Sequence, residues 1–218
     1  LEKSNTFTKK FIMTKHLFFF GILILSLSSC YTFTHYQTGK TVGKGKTDYA
    51  VTINGLGGAG LGGIGTLPPF KPEFQMSYGI TDDLDAIFKY SAFAGLHGGL
   101  KYSFLGNDMD SRFAAAIGAN FGGLFLGGGD NIGVGGFYNF SIPVHLSYHP
   151  SEIFAFGLSP NFTSIGAFGG GELESFSRFG LAPHIEVGRR IKFVLGLNAL
   201  FGTVSVYEYG LGIKWNPR

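Results

Sequence analysis

From Ile132 to Tyr148 every even-numbered residue is apolar or Gly (Ile132, Val134, Gly136, Tyr138, Phe140, Ile142, Val144, Leu146, Tyr148), while the odd positions include Asn139, Ser141, His145 and Ser147. Successive side chains of a strand point to opposite faces, so this stretch predicts one strand with an apolar face and a polar face. Its length sets it apart. Strands of soluble domains run to about five or six residues, whereas a tilted strand that crosses a bilayer takes about 9–11. Helix is disfavoured throughout, because Gly is 36 of 218 residues, and each Gly in a helix interior costs about 1 kcal/mol relative to Ala. The 24 Phe and 10 Tyr give far too much apolar surface for a disordered chain. The Gly lacks the three-residue period of collagen. Charged residues are only 14 %, where soluble domains carry about 25 %. With a net charge of +3 and scattered Lys and Arg, no nucleic-acid partner is expected.

The same period of two recurs along the chain. Phe74, Met76, Tyr78 and Ile80 alternate with Glu73, Gln75, Ser77 and Gly79; Leu84, Ala86, Phe88 and Tyr90 alternate with Asp85, Lys89 and Ser91, with Ile87 breaking the pattern. Leu96 to Phe104 runs against His97, Lys101 and Ser103, and Phe113, Ala115, Ile117, Ala119 and Phe121 run against Arg112 and Asn120. Further runs are Phe154 to Phe162 against Ser159 and Asn161, Phe179 to Val187 against His184 and Glu186, and Ile191 to Leu197 against Lys192 and Asn198, with Val194 an exception. A weaker first strand near Asp48 to Gly55 and a last one near Val206 to Trp215 complete a count of about ten, within a range of about eight to twelve. An even number of such strands predicts an all-β fold, a closed antiparallel up-and-down transmembrane β-barrel over residues 47–218.

Turn residues separate the runs at Thr81-Asp82-Asp83, Gly106-Asn107-Asp108, Gly128-Gly129-Asp130-Asn131, His149-Pro150-Ser151 and Gly188-Arg189-Arg190. The candidate outer loops are Gly57–Pro69, the Ala94–Gly95 bend, Gly127–Asn131, Ile165–Glu174 and Phe201–Ser205. A Lys or Arg on a lipid-facing wall costs about 2–4 kcal/mol at the bilayer midplane. The strand charges accordingly fall on the other face, Asp48, Glu73, Asp85, Glu186 and Glu208 against Lys89, Lys101, Arg112, Lys192 and Lys214, and with His97, His145 and His184 they are expected to line the lumen. Equal numbers of the two signs suit paired groups in a narrow interior better than a charge-selective pore. Inward Gly could leave a cavity there.

The N-terminal part has a different composition. Lys15 and His16 precede the apolar run Leu17 to Leu27, the order of a secretory signal, and about eleven residues are too few for a membrane-spanning helix, which needs roughly 20. Residues 1–29 are therefore expected to be leader and signal peptide, with Met13 as the initiator. Leu27-Ser28-Ser29-Cys30 resembles the lipobox of bacterial lipoproteins, which implies a lipid on Cys30, the chain's only Cys. Residues 30–46, polar and rich in Gly and Lys, are expected to be a lipidated tether.

At the other end Tyr207, Tyr209, Leu211, Ile213 and Trp215 alternate unbroken with polar or Gly positions. The set Glu208, Gly210, Ile213 and Trp215 resembles the C-terminal strand signal read by the outer-membrane insertion machinery, although Asn216-Pro217-Arg218 follows it. Through Gly43-Lys44-Gly45, Tyr78-Gly79-Ile80-Thr81-Asp82, Lys101-Tyr102 and Ser147-Tyr148-His149-Pro150, residues 39–218 resemble small Gram-negative outer-membrane β-barrel proteins. The resemblance implies the fold and an outer-membrane location, and the absence of an acidic cluster from Tyr31-Thr32-Phe33-Thr34-His35 after Cys30 leads to a periplasmic N-terminus as the expectation. The partners it implies are outer-membrane lipids and the insertion machinery.

No pattern specifies a cofactor or a metal. Gly55 to Gly60 fits G-x-G-x-x-G literally, but Leu61-Gly62-Gly63 and Pro68-Pro69 follow where a dinucleotide site needs a helix. Gly39 to Thr47 departs from a phosphate-binding loop by one residue of spacing. His145 and His149 are four apart, which gathers side chains on a helix and spreads them along a strand. The leading expectation is a non-enzymatic barrel acting in envelope structure or as a narrow porin-like conduit. One alternative is a hydrolase of envelope lipid or peptide using His145, His184 and Glu186. Another is a soluble lipoprotein barrel with its apolar faces turned inward around a small apolar ligand.

Overall fold

The computed structural model describes residues 35–59, 71–92, 94–108, 110–126, 135–169, 172–201 and 205–217. Ten strands are found among them: β1 (Thr47–Ala59), β2 (Lys71–Gly79), β3 (Leu84–Ser91), β4 (Gly95–Leu105), β5 (Phe113–Leu126), β6 (Gly135–Tyr148), β7 (Phe154–Gly169), β8 (Glu172–Gly188), β9 (Ile191–Phe201) and β10 (Ser205–Trp215). Each pairs antiparallel with its neighbour in sequence, and β1 pairs with β10 from Tyr49↔Trp215 to Ala59↔Ser205, so the sheet closes into an up-and-down barrel. Closure leaves no sheet edge exposed, the requirement for a sheet in hydrocarbon.

The faces follow from the alternation. Outward stand Val51, Tyr90, Leu100, Phe121, Phe156, Phe179, Phe193, Leu195 and Leu211 among many other large apolar residues, all substantially exposed. Inward stand Asp48, Glu73, Asp85, Lys89, Lys101, His145, Asn161, Glu186 and Glu208, all buried. The apolar faces thus do not turn inward, and the soluble-barrel alternative, which depended on that arrangement, is set aside. Ile87 and Val194, the two breaks in the pattern, are buried inward-facing residues at 4 % and 2 % exposure. Ala114, Ala115 and Ala116 are all buried because the β4–β5 register shifts between Ser103 and Leu105. This bulge draws Ala115, expected on the outer face, into the wall.

Short connections gather at one end of the barrel: 80–83, 106–112, 149–153 and 189–190. Gly106 opens one of them at φ 67, and a Cβ there would meet the Phe113 carbonyl oxygen at 1.8 Å, so only Gly fits. The Ala94–Gly95 bend joins β3 to β4 at the other end. The remaining candidate outer loops, the Gly128–Asn131 turn and the signal-peptide and Cys30 assignments fall wholly or partly outside the described residues.

Two expectations are corrected. Arg112 lies exposed in the connection before β5, not in the lumen, because β5 begins at Phe113. Its place among the inward cations belongs to Lys71, 1 % exposed, since β2 begins two residues earlier than the Glu73 from which its alternation was read. The tether reading also changes from His35 onward. His35, Tyr36, Gln37 and Thr38 are buried at 4–7 % exposure, and from them the segment runs through the lumen to the turn end, where Lys44, Gly45 and Lys46 are exposed. A polar, Gly-rich stretch reads as solvated, and a polar lumen supplies hydrogen-bonding groups as water would.

A closed barrel resists detergent. The folded chain is expected to migrate faster on an unheated denaturing gel than after boiling, and removal of Ser205–Trp215, which deletes the closing ladder, should abolish the difference.

Candidate functional site: the filled lumen

The interior is organised by ion pairs between strands. Lys71 of β2 meets Glu208 of β10 at 3.1 Å, Lys89 of β3 meets Glu73 of β2 at 3.7 Å, and Lys101 of β4 meets Asp85 of β3 at 3.2 Å. Near the turn end Lys214 bridges Asp48 at 3.2 Å and Glu186 at 3.3 Å, and Lys192 reaches Glu186 at 2.9 Å. Among the described residues all five inward strand acids therefore contact a strand Lys. Desolvating a charge costs several kcal/mol unless a partner compensates, which is why the inward charges come in matched numbers. A second inward set is amide: Asn54, Asn120, Asn139, Asn161 and Asn198, all buried.

The N-terminal segment docks into this lining. The Ser159 hydroxyl donates to the His35 carbonyl at 3.1 Å, the Gly39 N–H to Ser147 Oγ at 2.9 Å, and the Thr41 N–H to Asn107 Oδ1 at 2.9 Å. The Val42 N–H lies 3.1 and 3.2 Å from the two Asp85 carboxylate oxygens, while Lys101 Nζ donates to the Lys40 carbonyl at 2.8 Å. The Thr41 hydroxyl also donates to the Asp82 carbonyl. Extended backbone inside a barrel must have its N–H and C=O groups satisfied, and these side chains supply partners. Tyr36 fits because two inward positions have no side chain: a Cβ on Gly196 would sit 2.1 Å from its ring, and one on Gly210 2.7 Å from its hydroxyl. The cavity that inward Gly could have left is filled by this ring. An open channel would leave inward side chains accessible to water, yet most are below 9 % exposed, and Lys214 and Lys192 at the turn end reach only 16 % and 25 %.

The C-terminal signal residues divide between the faces. Glu208 and Gly210 point inward, against Lys71 and Tyr36 respectively. Ile213 is exposed on the outer face, and Trp215 stacks on Tyr49 across the closing ladder at 5.6 Å.

His145 on β6 and His184 and Glu186 on β8 are all buried on the inner wall, with β7 between the two strands. His145 Nδ1 lies 2.9 Å from Ser159 Oγ, a Ser–His pair that the sequence did not single out, because β6–β7 register rather than spacing makes it. Ser159 is fully buried beneath His35, and the other nitrogen of His145 has no hydrogen-bond partner among the described residues. Glu186 contacts Lys192 and Lys214, and Ser147 pairs with His149 at 2.9 Å. A nucleophile without access or an acid-oriented base does not match the geometry by which a triad is recognised. Among the described residues no group of three His, Cys, Asp or Glu is placed to hold a metal.

The molecule so described is a closed ten-stranded antiparallel barrel with an apolar exterior and an ion-paired interior. No family model matches the chain, and no curated protein matches it. Among solved structures it is similar to Ail, the attachment invasion locus protein of Yersinia pestis, in a phospholipid bilayer nanodisc (12 % identity, 80 % of this chain and 100 % of that one, TM-score 0.42). It is also similar to the N-terminal β-barrel domain of Pseudomonas aeruginosa OprF (11 %, 80 % and 99 %, 0.37) and to Neisserial surface protein A (10 %, 78 % and 95 %, 0.35). Such low scores bear on nothing further.

Three outcomes follow from the geometry. Lys214→Met leaves Asp48 without its cation and weakens the hold on Glu186, so a loss of about 3–5 kcal/mol in urea unfolding is expected, the cost of breaking a buried pair. Arg189→Ala, which removes only the exposed contact to Glu152, should change stability by about 0–1 kcal/mol. His149, half-buried in the β6–β7 connection, is held down to about 4 by burial and then by Lys40 and Lys192. The unfolded chain, with an ordinary His pKa of about 6.5, takes the proton first, so this contribution is intact above about pH 6.5 and stability falls as pH drops toward about 4. His149→Gln should flatten that part of the stability curve against pH.

Proposed function

We propose that the chain is a non-enzymatic outer-membrane β-barrel of a Gram-negative envelope, with its short turns on the periplasmic side and its lumen closed at rest by its own N-terminal segment. The observation that carries this reading is the wall itself: large apolar side chains stand outward on all ten strands while paired Lys and carboxylates stand inward. In water this arrangement would expose an apolar surface far larger than the few hundred Å² usual for a soluble monomer. In a bilayer the same surface is solvated by acyl chains, and the ladders satisfy the strand backbone. Short periplasmic turns are the rule for such barrels.

With the interior filled, a rigid envelope scaffold is favoured over a standing porin-like conduit. Membrane lipid is the solvent of the outer face, and the insertion machinery is the partner that reads Glu208, Gly210, Ile213 and Trp215. A lipid on Cys30 adds a second hold through the exported N-terminus, on the periplasmic side.

Fractionation tests the proposal. The protein is expected in the outer-membrane pellet after washing with high salt and alkali, and recovery in the soluble periplasmic fraction overturns the reading. Leu195→Lys, on the outer face midway along β9, should cost about 2–4 kcal/mol and reduce assembled protein, while Leu195→Phe should be tolerated. Cys30→Ala should accumulate uncleaved precursor; normal processing would remove the lipid.

A further inference from the structure

We infer a second activity, resting on the outer-membrane reading: once residues 35–43 leave the lumen, the barrel conducts small hydrophilic solutes with little preference for charge. The wall does not need the segment for its electrostatics. The pairs Lys71–Glu208, Lys89–Glu73, Lys101–Asp85, Lys192–Glu186 and Lys214 with Asp48 and Glu186 join strand to strand. Withdrawal therefore strips no strand carboxylate of its cation.

The segment's bonds are of a kind that water replaces. Ser147, Ser159, Asn107, Asp85 and Lys101 meet its backbone through single hydrogen bonds or a shared carboxylate, and hydrated hydroxyl, amide, carboxyl and ammonium groups lose little on exchange. The space it vacates is real space. Tyr36 rests over Gly196 and Gly210, neither of which has a side chain to swing into the gap, and the closed ladder fixes the circumference.

What is then uncovered sets the solute class. Among the described residues, five inward strand acids are each paired with an inward strand Lys, so the paired wall carries no net charge of its own. Buried amides such as Asn120, Asn161 and Asn198 offer both donors and acceptors. Beyond them Phe137, Ile165 and Leu200 are buried and apolar on the inner wall toward the loop end, with Leu200 packed on Ile165. These apolar side chains narrow the path there and limit it to small solutes.

The test is made on the folded full chain. Lys44, Gly45 and Lys46 are exposed at the turn end and can be replaced by a protease site. The protein is reconstituted into vesicles, its flotation with them confirming insertion, and then cleaved and washed until mass spectrometry shows the segment lost. Uncut protein should be silent in planar bilayers. The cut and washed protein should give discrete conductance steps with a reversal potential near zero in a KCl gradient, and Leu200→Ala should enlarge them. A second, uncut chain carrying Tyr36→Ala and Val42→Pro, which loses the ring and the N–H donated to Asp85, should flicker open. Silence in both overturns the proposal, as does conductance by the uncut parent, and strong ion selectivity overturns the solute class. Failure to float with vesicles instead overturns the outer-membrane reading.

Discussion

A carboxylate enclosed by a barrel wall is tolerable only beside a cation, and the interior of this protein is arranged around that constraint. The outer face can be uniformly apolar because the polar residues of every strand have somewhere else to go. They can go there because Lys and acid arrive in register from neighbouring strands: Asp85 opposite Lys101 in the β3–β4 ladder, and Glu208 and Lys71 flanking β1 from its two sides. Register is therefore enforced twice. A one-residue slip would turn Phe and Leu inward and would carry each charge into lipid. The penalties add along the strand, so the faces are not exchangeable.

The inner segment obeys the same accounting by different means. It brings backbone groups into the lumen and takes hydrogen bonds from side chains there, and it brings one large ring, Tyr36, to the place where two Gly make room. The ion pairs are thus the property of the wall and the hydrogen bonds the property of its occupant. That division separates what holds the barrel closed around its circumference from what keeps its bore filled.

Much of this was legible in the sequence, because a period of two over strands of 8–17 residues has a single reading. The ten strands, the polarity of the faces and the inward direction of Glu73, Asp85, Lys89, Lys101, His145, His184 and Glu186 follow from the pattern. Illegible features lay where the pattern is silent. Arg112 and Lys71 sit at strand starts, where one residue of boundary decides between lumen and turn. The bulge at Ser103 and Leu105 shifts register without a distinctive residue, since Ala is compatible with either face. The Ser159–His145 contact depends on pairing across strands and leaves no mark in spacing. The inner segment was the largest omission: from His35 onward it has the composition of an exposed linker, and only the barrel creates an interior polar enough to receive it.

The position of that segment also orders events during assembly. The β1–β10 ladder joins residues near the two ends of the chain, Tyr49 with Trp215, and such a distant pairing bears the largest loop-closure entropy and belongs late in folding. Residues 35–46 are continuous with β1 yet lie against side chains of β3 to β9. They come to rest inside when the two margins of the sheet meet, and because they run out to Lys46 at the open turn end, they can later leave by that end. A segment tied to the first strand is thus enclosed when the last strand arrives, and the turn end through which it passes remains its way out.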